Sequence, residues 1–135
     1  MNPFFKQAKH NSEFLKCIND KFPDLFYDWK ITVLFYISIH LLKCLSHKRG
    51  IRIGDTHYEI EYSLNPKKCQ KQVFPFPEWT WKTYSRIFKY SKDSRYDGID
   101  DELIVLMAQR KNFEECVKLF DSFKLCMASQ DIAID

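Results

Sequence analysis

Apolar residues recur along this chain at steps of three and four, and the runs are separated by proline, asparagine and glycine. Asn2-Pro3 suits a helix start, because the amide side chain can cap and proline fits the first turn. Phe5, Ala8, Phe14, Leu15 and Ile18 then predict a first helix reaching Lys21. Pro23 interrupts that pattern, and Asp28 is placed to cap a second helix over Trp29 to Ser46, apolar on nearly every face. Such a segment belongs at the centre of a bundle. Its β-branched residues would also suit a buried strand, but the run is about three times the usual strand length. A membrane span needs roughly 20 apolar residues, whereas this stretch carries Lys30, His40 and Lys43.

Ser46 to Asp55 reads as a loop, and Thr56-His57-Tyr58-Glu59 has capping-box spacing for a short third helix to about Leu64. Asn65-Pro66 stops it. Lys67, Lys68 and Lys71 form a basic connector, and Phe74-Pro75-Phe76-Pro77 makes a stiff turn. Trp81, Tyr84, Phe88, Ser91 and Arg95 predict a fourth helix from Glu78 to Tyr96, with Lys82, Arg86, Lys89 and Lys92 on its outer side. Asp97-Gly98 is a natural break. Beyond it, Asp101 to Arg110 and a second capping-box pattern at Asn112 to Glu115 predict one bent helix or two joined ones. The expectation is an all-α, up-and-down bundle of about five helices over residues 1–128, with a frayed tail over 129–135.

The chain has 135 residues, with only 3 Gly against 12 Phe, 7 Tyr and 3 Trp. That balance disfavours a many-stranded barrel. A net charge of +3 falls short of a heavily basic nucleic-acid binder. Five widely spread cysteines without a paired motif suggest reduced thiols, and no export signal is evident at the N-terminus, so a cytoplasmic location is expected. Glycine-rich phosphate loops, a nucleophile elbow and clustered metal ligands are absent from the sequence, and no cofactor or metal is expected. The acids Asp97, Asp100, Asp101 and Glu102 can imitate a metal site or simply face a helix start.

Three separated stretches carry a resemblance. Asp28-Trp29 followed by an apolar run to Phe35-Tyr36 and then His40 resembles a helix of small prokaryotic HEPN-like domains (higher eukaryote and prokaryote nucleotide-binding). His57 resembles the histidine opening that family's third helix, and Tyr90 to Gly98 resembles its Ser-Arg-x-x-Arg-Tyr-Asp stretch, with Lys92 in place of the first arginine and Arg95 retained. His10-Asn11 and Phe14-Leu15 also fit. The resemblance implies a five-helix bundle, often homodimeric, in a superfamily that includes RNases of toxin-antitoxin and defence systems as well as members without demonstrated activity. RNA or a nucleotide, and an antitoxin or neighbouring protein, are the implied partners. Active relatives carry an arginine and, after four to six intervening residues, a histidine in a late helix; Arg52 and His57 meet that spacing, but before the third helix.

Metal-independent RNA cleavage needs a base, an acid and a cation near the phosphate. Histidine, with an ordinary pKa of about 6.5, serves the first two, and a guanidinium can hold phosphate with paired hydrogen bonds. The catalytic candidates are His40, His57 and Arg95, with Tyr36, Tyr96 and Arg52 as RNA- or nucleotide-binding candidates. Tyr36 and His40 share a helix face, as do Ser91 and Arg95, so the expected site packs those faces together. The structural alternative makes Tyr36 and His40 core residues and Arg95 a charge paired with Asp93, Asp97 or Asp100. The connector and fourth-helix cations, interleaved with Phe74, Phe76, Trp79 and Trp81, can form an RNA surface or a solvated face over core aromatics. The competing function is a non-catalytic helical dimerisation or partner-binding module.

Overall fold

The computed structural model describes residues 2–68, 78–96 and 102–134, with the side chains of Arg95, Tyr96 and Glu102 outside that description. It is all-helical: α1 (Pro3–Lys21), α2 (Tyr27–Lys48), α3 (His57–Leu64), α4 (Glu78–Tyr96) and α5 (Glu102–Ala128). The Asn2 side chain accepts from the Phe4 N–H at 2.9 Å and starts α1. At α3, Thr56 Oγ1 accepts from the Glu59 N–H at 3.2 Å and donates to the Glu59 carboxylate at 3.0 Å. The Phe74 to Pro77 turn, Cys69, Lys71 and the Asp97-Gly98 break lie outside the described residues.

α2 is the central helix, packed against α1, α4 and α5. Fourteen of its 22 residues are buried, from Tyr27 to Ser46. By length and composition it could cross a membrane, yet 72% of its apolar window lies inside the fold, covered by the other helices. Its buried hydroxyls are satisfied within the helix: Thr32 donates to the Asp28 carbonyl and Ser38 to the Leu34 carbonyl, each at 3.0 Å. The start of this helix differs from expectation. Asp28 lies in the first turn, where its charge favours the helix dipole, and the cap position belongs to Phe26 in a left-handed conformation at φ 60°.

Lys30 is fully buried in that first turn. Its ammonium donates to the carbonyls of Phe22 and, at 3.4 Å, Pro23, which follow the end of α1, and lies 4.8 Å from the Tyr27 ring centre. Burial pulls its pKa below the usual lysine value, opposed in part by Asp24. The ammonium thus joins the Leu25 N–H on the Phe22 carbonyl and the Tyr27 hydroxyl on the Pro23 carbonyl, tying the turn to α2.

Ring and hydrogen-bond contacts set the helix directions. Tyr27 meets Phe113 and Lys48 reaches Gln130, so α2 and α5 run parallel. Trp79 meets Phe123, while Arg86 to Asp93 share a groove with Asn112 to Leu119, so α4 is antiparallel to both. The buried seam of α4 is Thr80, Tyr84, Ile87, Ser91 and Ser94, and Trp81 and Phe88 flank it half-buried. α5 is one continuous helix. Arg110 and Glu114 pair at 3.3 Å across Asn112, and the second capping-box pattern starts no new helix. The tail from Ser129, expected to fray, is tied down: Ile132 is 3% exposed, its N–H donates to the Met127 carbonyl at 3.0 Å, and Arg49 donates to the Gln130 side chain.

Two stability outcomes follow. Lys30→Ala should lower unfolding free energy by about 2–4 kcal/mol in urea titrations, since it removes buried packing and the ammonium's hydrogen bonds to the turn, while Lys30→Met recovers the packing share. Ile132→Ala should cost about 2 kcal/mol; a change below about 0.5 kcal/mol would return the tail to the frayed state.

Candidate functional site

His57 opens α3 and turns its ring onto the core. The ring stacks on Phe35 of α2 at 5.5 Å between centroids and lies 4.1 Å from Phe88 of α4. Its Nδ1 and the Tyr84 hydroxyl form a 2.8 Å hydrogen bond. Tyr84 is 2% exposed, and burial raises its pKa well above the ordinary tyrosine value, so the phenol stays protonated. The bond forms with the phenol donating to Nδ1 of a neutral ring or with an Nδ1–H of the imidazolium donating to the phenol oxygen. The residue itself is exposed at the surface, its ring packed against α2 and α4.

His40 lies on the outward stripe of α2, four residues after Tyr36 and three before Lys43. Its Nδ1 is 2.7 Å from the Tyr36 carbonyl. A carbonyl only accepts, so Nδ1 carries the hydrogen and Nε2 keeps a lone pair. Partial burial, together with nearby Lys43, lowers the His40 pKa despite the bond to Tyr36. The imidazole is neutral at pH 7. That is the state a general base requires.

Lys43 joins this stripe to the following loop. Its ammonium is 3.2 Å from the Asp55 carboxylate, whose other oxygen is 2.8 Å from the Arg52 guanidinium. The hydrogen bond from Arg52, then that from Lys43, holds the Asp55 carboxyl below the usual carboxylate range. Both partners reach solvent, so the pair adds little stability. Gly50 and Gly54 turn the loop at positive φ, and a Cβ at Gly54 would lie 2.3 Å from that of Glu59, so only glycine fits there. Beside the loop, Phe4, Lys43, His47, Arg52 and Asp55 line a cleft of about 470 Å³.

Lys43 and Arg52 meet at Asp55, two residues before His57, and His40 lies one helical step before Lys43 on α2. Sequence reasoning missed Lys43, Asp55 and Tyr84. Lys43 falls one helical step beyond His40, a spacing that was available, but nothing local marked its acidic partner. Tyr36 is 43% exposed rather than a core residue, and Tyr58 and Tyr62 stand exposed on α3 with ring centres 5.3 Å apart.

The expected meeting of the end of α4 with His40 does not form. Phe35 is level with Tyr84 and Phe88, and the two helices run in opposite directions. The last turn of α4, carrying Arg95 and Tyr96, therefore sits toward the start of α2, roughly 20 Å along the bundle from the level of His40 at 1.5 Å per residue. The antiparallel register sets this separation, and their side chains lie outside the described residues.

The interleaved aromatics also divide from the cations. Trp79 and Trp81 pack against the core, whereas Lys82, Arg86, Lys89 and Lys92 remain on the exposed side of α4. Lys68 is paired with Glu61 at 2.8 Å. Among the described residues, no three His, Cys, Asp or Glu side chains gather to hold a metal ion. The four described cysteines are unbonded thiols; Cys44 and Cys116 are buried, and burial pushes the Cys116 pKa up to about 12. Searches against protein-family models, curated proteins and solved structures found no match to this chain.

The lowered His40 pKa gives a pH dependence with a definite sign. Between the folded value and the ordinary 6.5, the unfolded chain binds more protons, so stability contributed here is full above 6.5 and falls as pH drops through that window. Urea unfolding at pH 7.5 and 5.5 should show a smaller loss on acidification in His40→Gln than in the parent chain.

Proposed function

We propose that this chain is a HEPN-like RNA-binding protein that takes single-stranded RNA along the side shared by α2, the loop after it and α3. The observation that supports this best is His57, held at the surface by Phe35, Phe88 and the Tyr84 hydroxyl, two residues from the Arg52–Asp55 pair. The exposed rings of Tyr36, Tyr58 and Tyr62 offer stacking surfaces for unpaired bases. Arg52 and Lys43 offer the cations, with a backbone phosphate taking over the contacts that Asp55 makes in the free protein.

Cleavage is the finer form of this proposal. His40 Nε2 would accept the ribose 2′-hydroxyl proton, His57 would protonate the leaving oxygen, and Arg52 would meet the charge developing on phosphorus-bound oxygens. Arg52 takes the role first expected of Arg95, since it pairs with Asp55, two residues before His57, and Asp55 also holds Lys43, one helical step after His40.

Fluorescence polarisation with a labelled mixed-sequence single-stranded RNA tests the reading. Binding should weaken with salt, and Arg52→Ala should make the slope of log K against log salt shallower by about 0.7. Tyr36→Ala should weaken binding by about fivefold or more. His40→Ala should abolish cleavage while leaving RNA affinity close to that of the parent. Absence of salt-sensitive binding at low ionic strength removes the proposal.

A further inference from the structure

At the opposite end of α2, the turn from α1 presents Phe22, Leu25, Phe26 and Trp29, which are 42%, 48%, 47% and 59% exposed. Four large apolar side chains are thus exposed within eight residues of one turn, a density that on monomers often marks a functional surface. The turn is built to hold them. Phe26 adopts φ 60° and ψ 37°, a left-handed conformation unfavourable for a bulky side chain. Its ring meets Phe22 edge-on at 5.0 Å, and buried Lys30 fastens the Phe22 and Pro23 carbonyls from beneath. Strained backbone that the surroundings enforce, under exposed aromatic residues, is characteristic of a binding surface. Preset rings also lose little freedom on docking.

Charge selects the occupant. Asp20, Asp24 and Asp28 are interspersed with the patch residues, opposed by Lys21 at the surface and by the buried Lys30 ammonium beneath, which Asp24 attracts, and none of the three carboxylates makes an ion pair among the described residues. An anionic lipid surface or an RNA backbone would meet repulsion there. A second copy using the same patch across a twofold axis would bring two acidic rims together. The complementary surface is apolar at its centre and cationic at its edge. We infer that the α1–α2 turn is an anchor for a different protein, which docks on it through a basic amphipathic segment. This inference stands apart from the RNA proposal, since none of its residues belongs to that site.

The test uses the full chain and two labelled helical peptides of equal length, one of leucine and lysine and one of leucine and glutamate, read by fluorescence anisotropy. The lysine peptide should bind, and Phe26→Ala with Trp29→Ala should weaken it at least about tenfold. Asp20→Asn, Asp24→Asn and Asp28→Asn together should weaken it about fivefold or more. Trp29→Ser alone, at the most exposed of the four positions, keeps the turn intact and should still weaken binding. RNA affinity should be unchanged in these variants. Equal binding of both peptides overturns the inference, as does indifference to all the substitutions. So does patch-dependent binding to phosphatidylserine vesicles, patch-dependent dimerisation in sedimentation, or a parallel loss of RNA affinity.

Discussion

The fold depends on one constraint: α2 is apolar around most of its circumference and has to be covered on several sides at once. Burying each large side chain contributes about 1.5–3 kcal/mol before the cost of ordering the chain. One neighbouring helix cannot cover such a surface, so α1, α4 and α5 all lie against it. Short-range consequences follow from this arrangement. Polar groups drawn inside must find partners close by, which Thr32 and Ser38 do within their own helix and Lys30 does at the end of α1.

The same helix organises two surfaces of opposite character. Toward its C-terminal half, the uncovered stripe carries Tyr36, His40 and Lys43 and meets the loop with Arg52. Toward its start, apolar rings sit among aspartates. Opposite charge around exposed aromatic rings distinguishes the two surfaces. A rigid central helix keeps the two apart.

Helix limits were readable where a local interaction decides them. Asn2 caps α1, the Thr56–Glu59 pair starts α3, and both are visible as spacing. Local signals failed where tertiary packing competed with them. Asn112 has the form of a cap, yet α5 passes through it, with Phe113 against Tyr27 and Arg110 paired with Glu114. The tail after Ser129 is polar enough to look loose, but Ile132 finds a place in the core that only the assembled helices create. Likewise, periodicity placed Tyr84 and Ser91 on the inner side of α4, while Thr80 and Ile87 complete the seam that Trp81 and Phe88 were expected to share.

Sequence by itself determined the helical class, the five segments and the residues able to move protons or hold phosphate, because periodicity, capping and side-chain chemistry are local properties. Tertiary structure decided which of those residues stand together. Tyr84 reaches His57 from 27 residues away and Asp55 gathers Lys43 and Arg52, whereas the antiparallel course of α4 carries Arg95 to the far end. Direction and register of packed helices are set by how their whole surfaces interlock, information that no single motif contains.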